Sequence, residues 1–349
     1  MNRMHALLSL ALVTTAGCNP YWQELRDTGD PDPLVDTAPD TGDEPDSATI
    51  ECFEVKDNPA FADSGTVFGR VMSPSGEIPV LSAIVEIVID GEAAWMLTNC
   101  DGAFSLDLPP GQHQLGVTKG RYTAGRQIEV FAGQPLDLGD VTLDVADVKI
   151  AVISGQYDDI GALITKAGLP MEVYGRPSDL LTDPAKMAEL DLIFSNCGSL
   201  ATTTSVAHYS PEEVANTRAW LEAGGTLYTS DWEYELFDAV VPEGLNFNSN
   251  PKLGAVSAIE ADVLDRDIQT MLGKATAELR FNLNDWVVID SAEYAYVLAE
   301  GRVDGTGRTH PMAALMPVGS GKAIFTSFHN ESQITDDMEI ILYDMILGL

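Results

Sequence analysis

The sequence predicts a multidomain protein: an all-β sandwich followed by an α/β three-layer domain with a mostly parallel sheet. Three observations lead there. From about 51 to 147, short apolar runs alternate with period two between Gly, Pro, Asn and Asp turn signals. From 148 onward the apolar runs become continuous, as in strands covered on both faces, and they alternate with helical-period segments. The chain of 349 residues is long enough for both parts.

Composition narrows the function. The formal net charge is −35 at pH 7, with only 19 Lys and Arg. No basic stripe is present for phosphate contacts, so nucleic acid is excluded as an expected partner. Such a charge favours solubility through self-repulsion. The alternative is a cation-rich partner, such as Ca²⁺ or a basic peptide.

The first segment, 1–17, carries the marks of a secretory signal. Arg3 supplies positive charge, Ala6 to Val13 form a short apolar core, and Thr14-Thr15-Ala16-Gly17 are small or polar. The core is too short to span a bilayer, which takes about 20 helical residues. Small residues ending at Cys18 resemble the lipobox of bacterial lipoproteins. That resemblance implies cleavage before Cys18 and acylation of its sulfur. Asn19 stands where an aspartate would imply retention at the inner membrane. The expected location is therefore the bacterial cell envelope, lipid-anchored, at the outer membrane.

Residues 18–50 form an acidic linker. Asp27-Thr28-Gly29-Asp30-Pro31-Asp32-Pro33 and Asp36 to Asp46 offer almost nothing to bury, so disorder is expected. Like charges and prolines extend such a chain. The repeated Asp lacks the fixed ligand register of a calcium loop.

The expected sandwich, 51–147, begins with Thr66 to Met72, which alternates and turns at Ser73-Pro74-Ser75-Gly76. Ala83 to Ile89 follows, then Asp90-Gly91. Leu97 to Cys100 meets Asp101-Gly102, a strong hairpin signal. Ala103 to Leu108, Gln114 to Val117 and Val141 to Leu143 complete it, with Pro109-Pro110-Gly111 as a further turn. Gly69-Arg70-Val71, Ala83-Ile84-Val85, Thr98 through Phe104 and Pro109 to His113 are similar to the carboxypeptidase regulatory-like family. This implies an Ig/prealbumin-like (transthyretin- or starch-binding-like) sandwich acting as a spacer or adhesive module. Sugar sites usually show exposed aromatics, and Trp95 and Tyr122 are the candidates. Cys52 and Cys100 both lie here in an oxidising compartment, so a disulfide is expected. Cys197 is left over.

The expected α/β domain, 148–349, opens with the apolar run Val148 to Ile153 and a helix over Ile160 to Gly168. Met171 to Tyr174 and Leu190 to Phe194 are further strands. Ser210-Pro211-Glu212-Glu213 starts a helix with Pro at its first position and a capping-box Glu. That helix feeds Gly224-Gly225-Thr226-Leu227-Tyr228-Thr229-Ser230-Asp231, a strand ending in a sharp turn. Residues Val240 to Ile289 read as an insertion. Tyr294 to Glu300 and Met312 to Met316 read as a strand pair, Lys322 to Phe328 as a strand, and Thr335 to Leu347 as the closing helix.

The Gly224–Asp231 stretch and Phe328-His329-Asn330-Glu331-Ser332 resemble the class I glutamine amidotransferase-like superfamily, including its trehalose-utilisation-type relatives. The resemblance implies a flavodoxin-like fold whose nucleophile elbow lies at Asp231, and whose His and Glu are His329 and Glu331. The family's elbow residue is cysteine. A carboxylate is a poor nucleophile towards an amide, so glutamine hydrolysis by the family mechanism is not expected.

Three readings of the pocket remain. Asp231, His329 and Glu331 are relics in a binding crevice; or Cys197 supplies a displaced thiolate activated by His329; or Asp231, His329 and Glu331, with Asp158, hold a metal. The spacing singles out no ligand set, so no metal or cofactor is assigned. Ser230 is a weaker nucleophile candidate, and Trp232, Tyr234 and Trp286 are candidate crevice walls. The leading expectation is a membrane-anchored envelope lipoprotein with a non-catalytic binding or scaffold role. Its expected partner is a glycan or an envelope protein. The rival is an envelope hydrolase acting on an amide or glycan through Cys197 or Asp231 with His329 and Glu331.

Overall fold

Seven strands lead the described part of the chain: β1 (Gly65–Met72), β2 (Ile84–Ile89), β3 (Glu92–Leu97), β4 (Ala103–Leu108), β5 (Gly111–Lys119), β6 (Tyr122–Val130) and β7 (Pro135–Thr142). The computed structural model describes residues 52, 54–55, 57, 63–89, 92–145, 148–198, 209–247 and 253–348. Cys18, the linker and the Asp90-Gly91 turn lie outside the described residues.

These strands make two sheets, ordered β4-β1-β7 and β3-β2-β5-β6. Period-two patterning sets their buried faces. In β2, Val85 and Ile87 are fully buried while Glu86 and Val88 face out. Val67, Val71, Phe104, Leu108, Leu115 and Val117 join the same kind of core. The Asp101-Gly102 turn forms, but not as the hairpin its sequence signals: β3 and β4, on either side of it, belong to different sheets and pair with β2 and β1. Asn99 Oδ1 accepts the N–H groups of Asp101 at 3.0 Å and Ala103 at 2.8 Å. Gly102 adopts φ +70, where a Cβ would also sit 2.4 Å from Val71 O. Cys52 and Cys100 form a disulfide with Cα atoms 5.7 Å apart. Tyr122 corrects its reading as an exposed candidate: it is fully buried, with its hydroxyl directed at Ile346 O. Trp95 is 56% exposed.

The rest builds on one nine-stranded sheet. In chain order come β8 (Ile150–Ile153), α1 (Ile160–Lys166), β9 (Met171–Tyr174), α2 (Ser178–Leu181), α3 (Pro184–Met187), β10 (Leu192–Ser195), α4 (Pro211–Glu222) and β11 (Thr226–Ser230). A 3-10 turn (Asp231–Glu233), α5 (Tyr234–Val240), β12 (Leu253–Gly254), β13 (Ser257–Val263), α6 (Arg266–Leu272) and β14 (Thr276–Phe281) follow. Then come β15 (Trp286–Val287), β16 (Tyr296–Arg302), β17 (Thr309–Val318), β18 (Gly321–Thr326) and α7 (Asp336–Gly348). The protein is thus sheet-rich and mixed, with seven α-helices among the described residues.

The large sheet has the order β14-β13-β16-β17-β18-β11-β10-β8-β9. β18, β11, β10, β8 and β9 pair in parallel. β17, β16, β13 and β14 extend it through antiparallel pairs. "Mostly parallel" is therefore corrected to half: four pairings of each kind. The reason lies in 253–281, read as an insertion. Strands β13 and β14 bury alternate residues (Ile259, Ala261, Val263; Ala277, Leu279, Phe281), the period-two mark of a sheet edge covered on one face.

Helix α4 starts as its sequence predicts. Ser210 Oγ accepts from Glu213 N at 3.2 Å, and Glu213 Oε2 accepts from Ser210 N at 2.7 Å. Its Trp220 and Leu221 pack with Leu227, Phe237, Phe247 and Phe325 in the central core. Gly225 lies against Trp220, where a Cβ would fall 2.2 Å from the indole.

All described residues belong to one compact unit. Arg121 bridges its two parts, donating to Asp191 Oδ1 at 3.2 Å and to Gly224 O. Lys119 Nζ pairs with Asp344 at 3.1 Å, and Ser75 N donates to Ala167 O at 2.9 Å. Asp191 and Gly224 precede β10 and β11, so this docking uses the amino ends of the parallel strands. Their carboxyl ends, where open α/β sheets place ligands, stay clear of it.

Candidate functional site

The site is built where β10, β11 and β18 end. Ser230 is still extended, with φ −132 and ψ 141. Asp231 then takes φ +48, in the left-handed region, and starts the 3-10 turn. For most side chains this region is unfavourable by about 1–2 kcal/mol, and Asp tolerates it better than most. The predicted elbow is therefore present in backbone form, with a carboxylate at its apex.

Three ends converge on that carboxylate. Asp231 Oδ1 accepts the N–H of Val287, at 2.7 Å. Cys197, two residues beyond β10, donates its thiol to Oδ2 at 3.6 Å. His329 Nδ1, beyond β18, lies 3.8 Å from the same Oδ2. His329 Nε2 lies 3.8 Å from Glu331 Oε2. The sequence candidates Asp231, His329, Glu331 and Cys197 thus form one cluster. Asp231 (4%), His329 (5%) and Cys197 (1%) are nearly closed to solvent.

A second layer holds them. Asp158, just past β8, accepts Ser230 Oγ–H at 2.6 Å and Asn330 N–H at 3.2 Å. Ser230 Oγ accepts Cys197 N–H at 3.2 Å, and Asn196 Nδ2 donates to Asp158 O at 3.0 Å. Ser230 is thereby committed to structure. Glu233, which sequence reasoning passed over, is 2% exposed and accepts from Ser195 Oγ at 3.2 Å and from the Tyr209 hydroxyl. Its signal was its place in Asp231-Trp232-Glu233, two residues past the apex. Two of the expected crevice walls are core instead. Trp286 stacks on Phe281 with centroids 3.9 Å apart, and Tyr234 packs on Phe247 at 5.3 Å. Trp232 is 37% exposed.

Burial sets the protonation states. It pushes Asp231 and Asp158 up to about 7 against the hydrogen bonds that oppose it. It pushes His329 down to about 4 and the Cys197 thiol well above its ordinary value. At neutral pH the imidazole is neutral and the thiol protonated, so the Asp231–His329 contact is no ion pair. Among the described residues no cation stands by to stabilise a thiolate, and burial opposes one.

Beside the cluster, a cavity of about 530 Å³ opens at the carboxyl ends of β8 and β9. Tyr157, Asp158, Asp159, Asn196, Asn330 and Glu331 are among its walls. It is polar and acidic, and it touches the buried cluster through Asn196, Asn330 and Glu331.

No family model matches the chain, and no curated protein matches it. Solved structures similar to it include a thua-like protein from Bacteroides uniformis, at 11% identity and TM-score 0.42, covering 57% of this chain and 90% of that one. PurLQS from Thermotoga maritima is similar at 13% identity and TM-score 0.42, over 57% of this chain and 98% of that one. The β-galactosidase from Rahnella sp. R3 is similar at 14% identity and TM-score 0.41, over 57% of this chain. The chain spans only 31% of that β-galactosidase.

Proposed function

We propose that the protein is an envelope lipoprotein, anchored through Cys18, whose folded part has a non-catalytic binding or scaffold role. In this reading an Ig/prealbumin-like sandwich precedes a flavodoxin-like, amidotransferase-like domain with a retired elbow. One observation carries it: Asp231 stands at the apex, buried, with Oδ1 bound by Val287 N–H and Oδ2 by the Cys197 thiol. An attacking group must reach its substrate, and this one is occupied on both oxygens. The acidic cavity beside it supplies a binding crevice in its place. Trp95, Val88 and Leu97, exposed on the paired strands β2 and β3, support a second contact for a glycan.

The test uses the whole exported chain with envelope glycans, envelope amides and glutamine as probes. Expected are retention of an envelope component and no turnover above that of His329→Ala. Turnover that disappears in His329→Ala or Asp231→Asn sinks the proposal and establishes the envelope hydrolase instead. Fractionation checks the anchor: Cys18→Ser releases the protein from membranes, because acyl chains on this one cysteine hold it there.

A further inference from the structure

We propose that Cys197, Asp231 and His329 bind a single divalent transition-metal ion, of which Zn²⁺ is the type. One ligand atom from each lies within 4.8 Å of the others. Two ligands of a tetrahedral zinc ion sit about 3.3–3.7 Å apart when their bonds are about 2.0–2.3 Å long, the longer spans involving sulfur. The 3.6 Å edge from Cys197 Sγ to Asp231 Oδ2 already fits, the 3.8 Å edge from Asp231 Oδ2 to His329 Nδ1 needs closing by a few tenths of an ångström, and the remaining edge, Cys197 to His329, lies within 4.8 Å. A sulfur, an imidazole nitrogen and a carboxylate oxygen suit a borderline ion and not Ca²⁺ or Mg²⁺.

The independent observation is unmet polarity. Both ring nitrogens of His329 are buried without a hydrogen-bond partner among the described residues. A neutral imidazole carries one N–H donor and one acceptor, and burying both unpaired is costly. A metal on Nδ1 fixes the proton on Nε2, which faces Glu331 Oε2, itself buried and without a hydrogen-bond partner among the described residues. That is the carboxylate–histidine–metal arrangement, in which the outer carboxylate orients the ring. It gives Glu331 a positioning role, in place of the ligand role the sequence alone suggested. The thiol proton leaves to solvent as the sulfur–metal bond forms, and no electron transfer is involved. The ion would join the ends of β10, β11 and β18, which the non-catalytic reading neither requires nor forbids.

The experiment loads the full exported chain with Zn²⁺, removes loose metal with a chelating resin, and measures bound metal. One equivalent is expected. Cys197→Ser, Asp231→Asn and His329→Gln should each weaken binding by more than the roughly 10–100-fold typical of losing an outer-shell partner. Glu331→Gln should weaken it within that range. Co²⁺ gives a readout free of variants: an intense near-ultraviolet thiolate-to-cobalt band that vanishes when Zn²⁺ is added. Wild-type protein holding well under one equivalent overturns the proposal. So does bound Co²⁺ without the thiolate band. Equal binding by wild type and all three ligand variants overturns it too, because the metal is then held elsewhere. Ligand retention by the cavity is a separate readout, so either proposal can fail alone.

Discussion

Asp231 Oδ2 lies 3.8 Å from His329 Nδ1, and the two side chains are 6% and 7% exposed. Strands β11 and β18 pair from Thr226↔Lys322 to Ser230↔Thr326, so both residues leave adjacent strands just past the same end of the ladder. Their separation is set by backbone pairing. It is too long for a hydrogen bond and close to the span of two ligands on one ion.

At Asp231 the prediction separates shape from charge. Asp231→Asn keeps an oxygen for Val287 N–H and tolerates φ +48, so stability should change by less than about 1 kcal/mol. Asp231→Ala leaves that N–H unpaired in the core and strains the turn, and should lose about 2–4 kcal/mol. Urea denaturation of both variants checks this. Equal losses would mean that the Val287 contact is not what holds the elbow.

Cys197 should resist alkylation in the folded protein. It is 1% exposed, and burial holds its thiol protonated. With iodoacetamide at pH 8, mass spectrometry should show no label until denaturant is added, then label at Cys197 alone. Fast labelling of the native chain would reopen the thiolate reading.

Asp158 should make stability depend on pH. Its carboxyl titrates at about 7 when folded and at about 3.9 when unfolded. Between those values the folded chain keeps a proton that the unfolded chain has released. This contribution is therefore full below about pH 4 and is lost as pH rises through 7. His329, pushed down to about 4, acts in the opposite sense between about pH 4 and 6.5. Comparing wild type with Asp158→Asn cancels the His329 part. The variant should gain on wild type by on the order of 1 kcal/mol per pH unit across this window. Parallel stability curves would contradict it.

The Cys52–Cys100 disulfide closes a span of 48 residues. By chain entropy this constrains the unfolded state by on the order of 4 kcal/mol. Cys52→Ala with Cys100→Ala should lower the urea midpoint accordingly. It should leave Cys197 as protected from alkylation as before, because the loop lies far along the chain from the buried cluster. Exposure of Cys197 in that variant would show that the two parts unfold as one.

Much of the fold was legible because it rests on local periodicity. Val148–Ile153 and Leu190–Phe194 are apolar throughout, so they read as buried parallel strands. Ser210 to Glu213 specify their own helix start. The strands of 253–281 fall within the stretch that reads as an insertion, although β13 and β14 alternate cleanly. Short period-two segments gain meaning only from the neighbour they pair with. Tyr122 and Trp95 show the same limit on the first sheets: nothing local distinguishes an aromatic that ends under helix α7 from one left in solvent.

The sequence by itself determined which residues could matter at the site: an elbow ending in Asp231, a His329-x-Glu331 pair and a cysteine left over. It also fixed the net charge of −35 and carried the expectation of an export signal, since these depend only on residue type and order. Only the tertiary structure decided that Cys197 meets Asp231, that Val287 N–H holds the apex, and that His329 is buried with neither ring nitrogen paired among the described residues. These facts join residues as far apart as 197 and 329. Long-range contacts of this kind arise from strand pairing and close packing, and neither leaves a trace in local spacing.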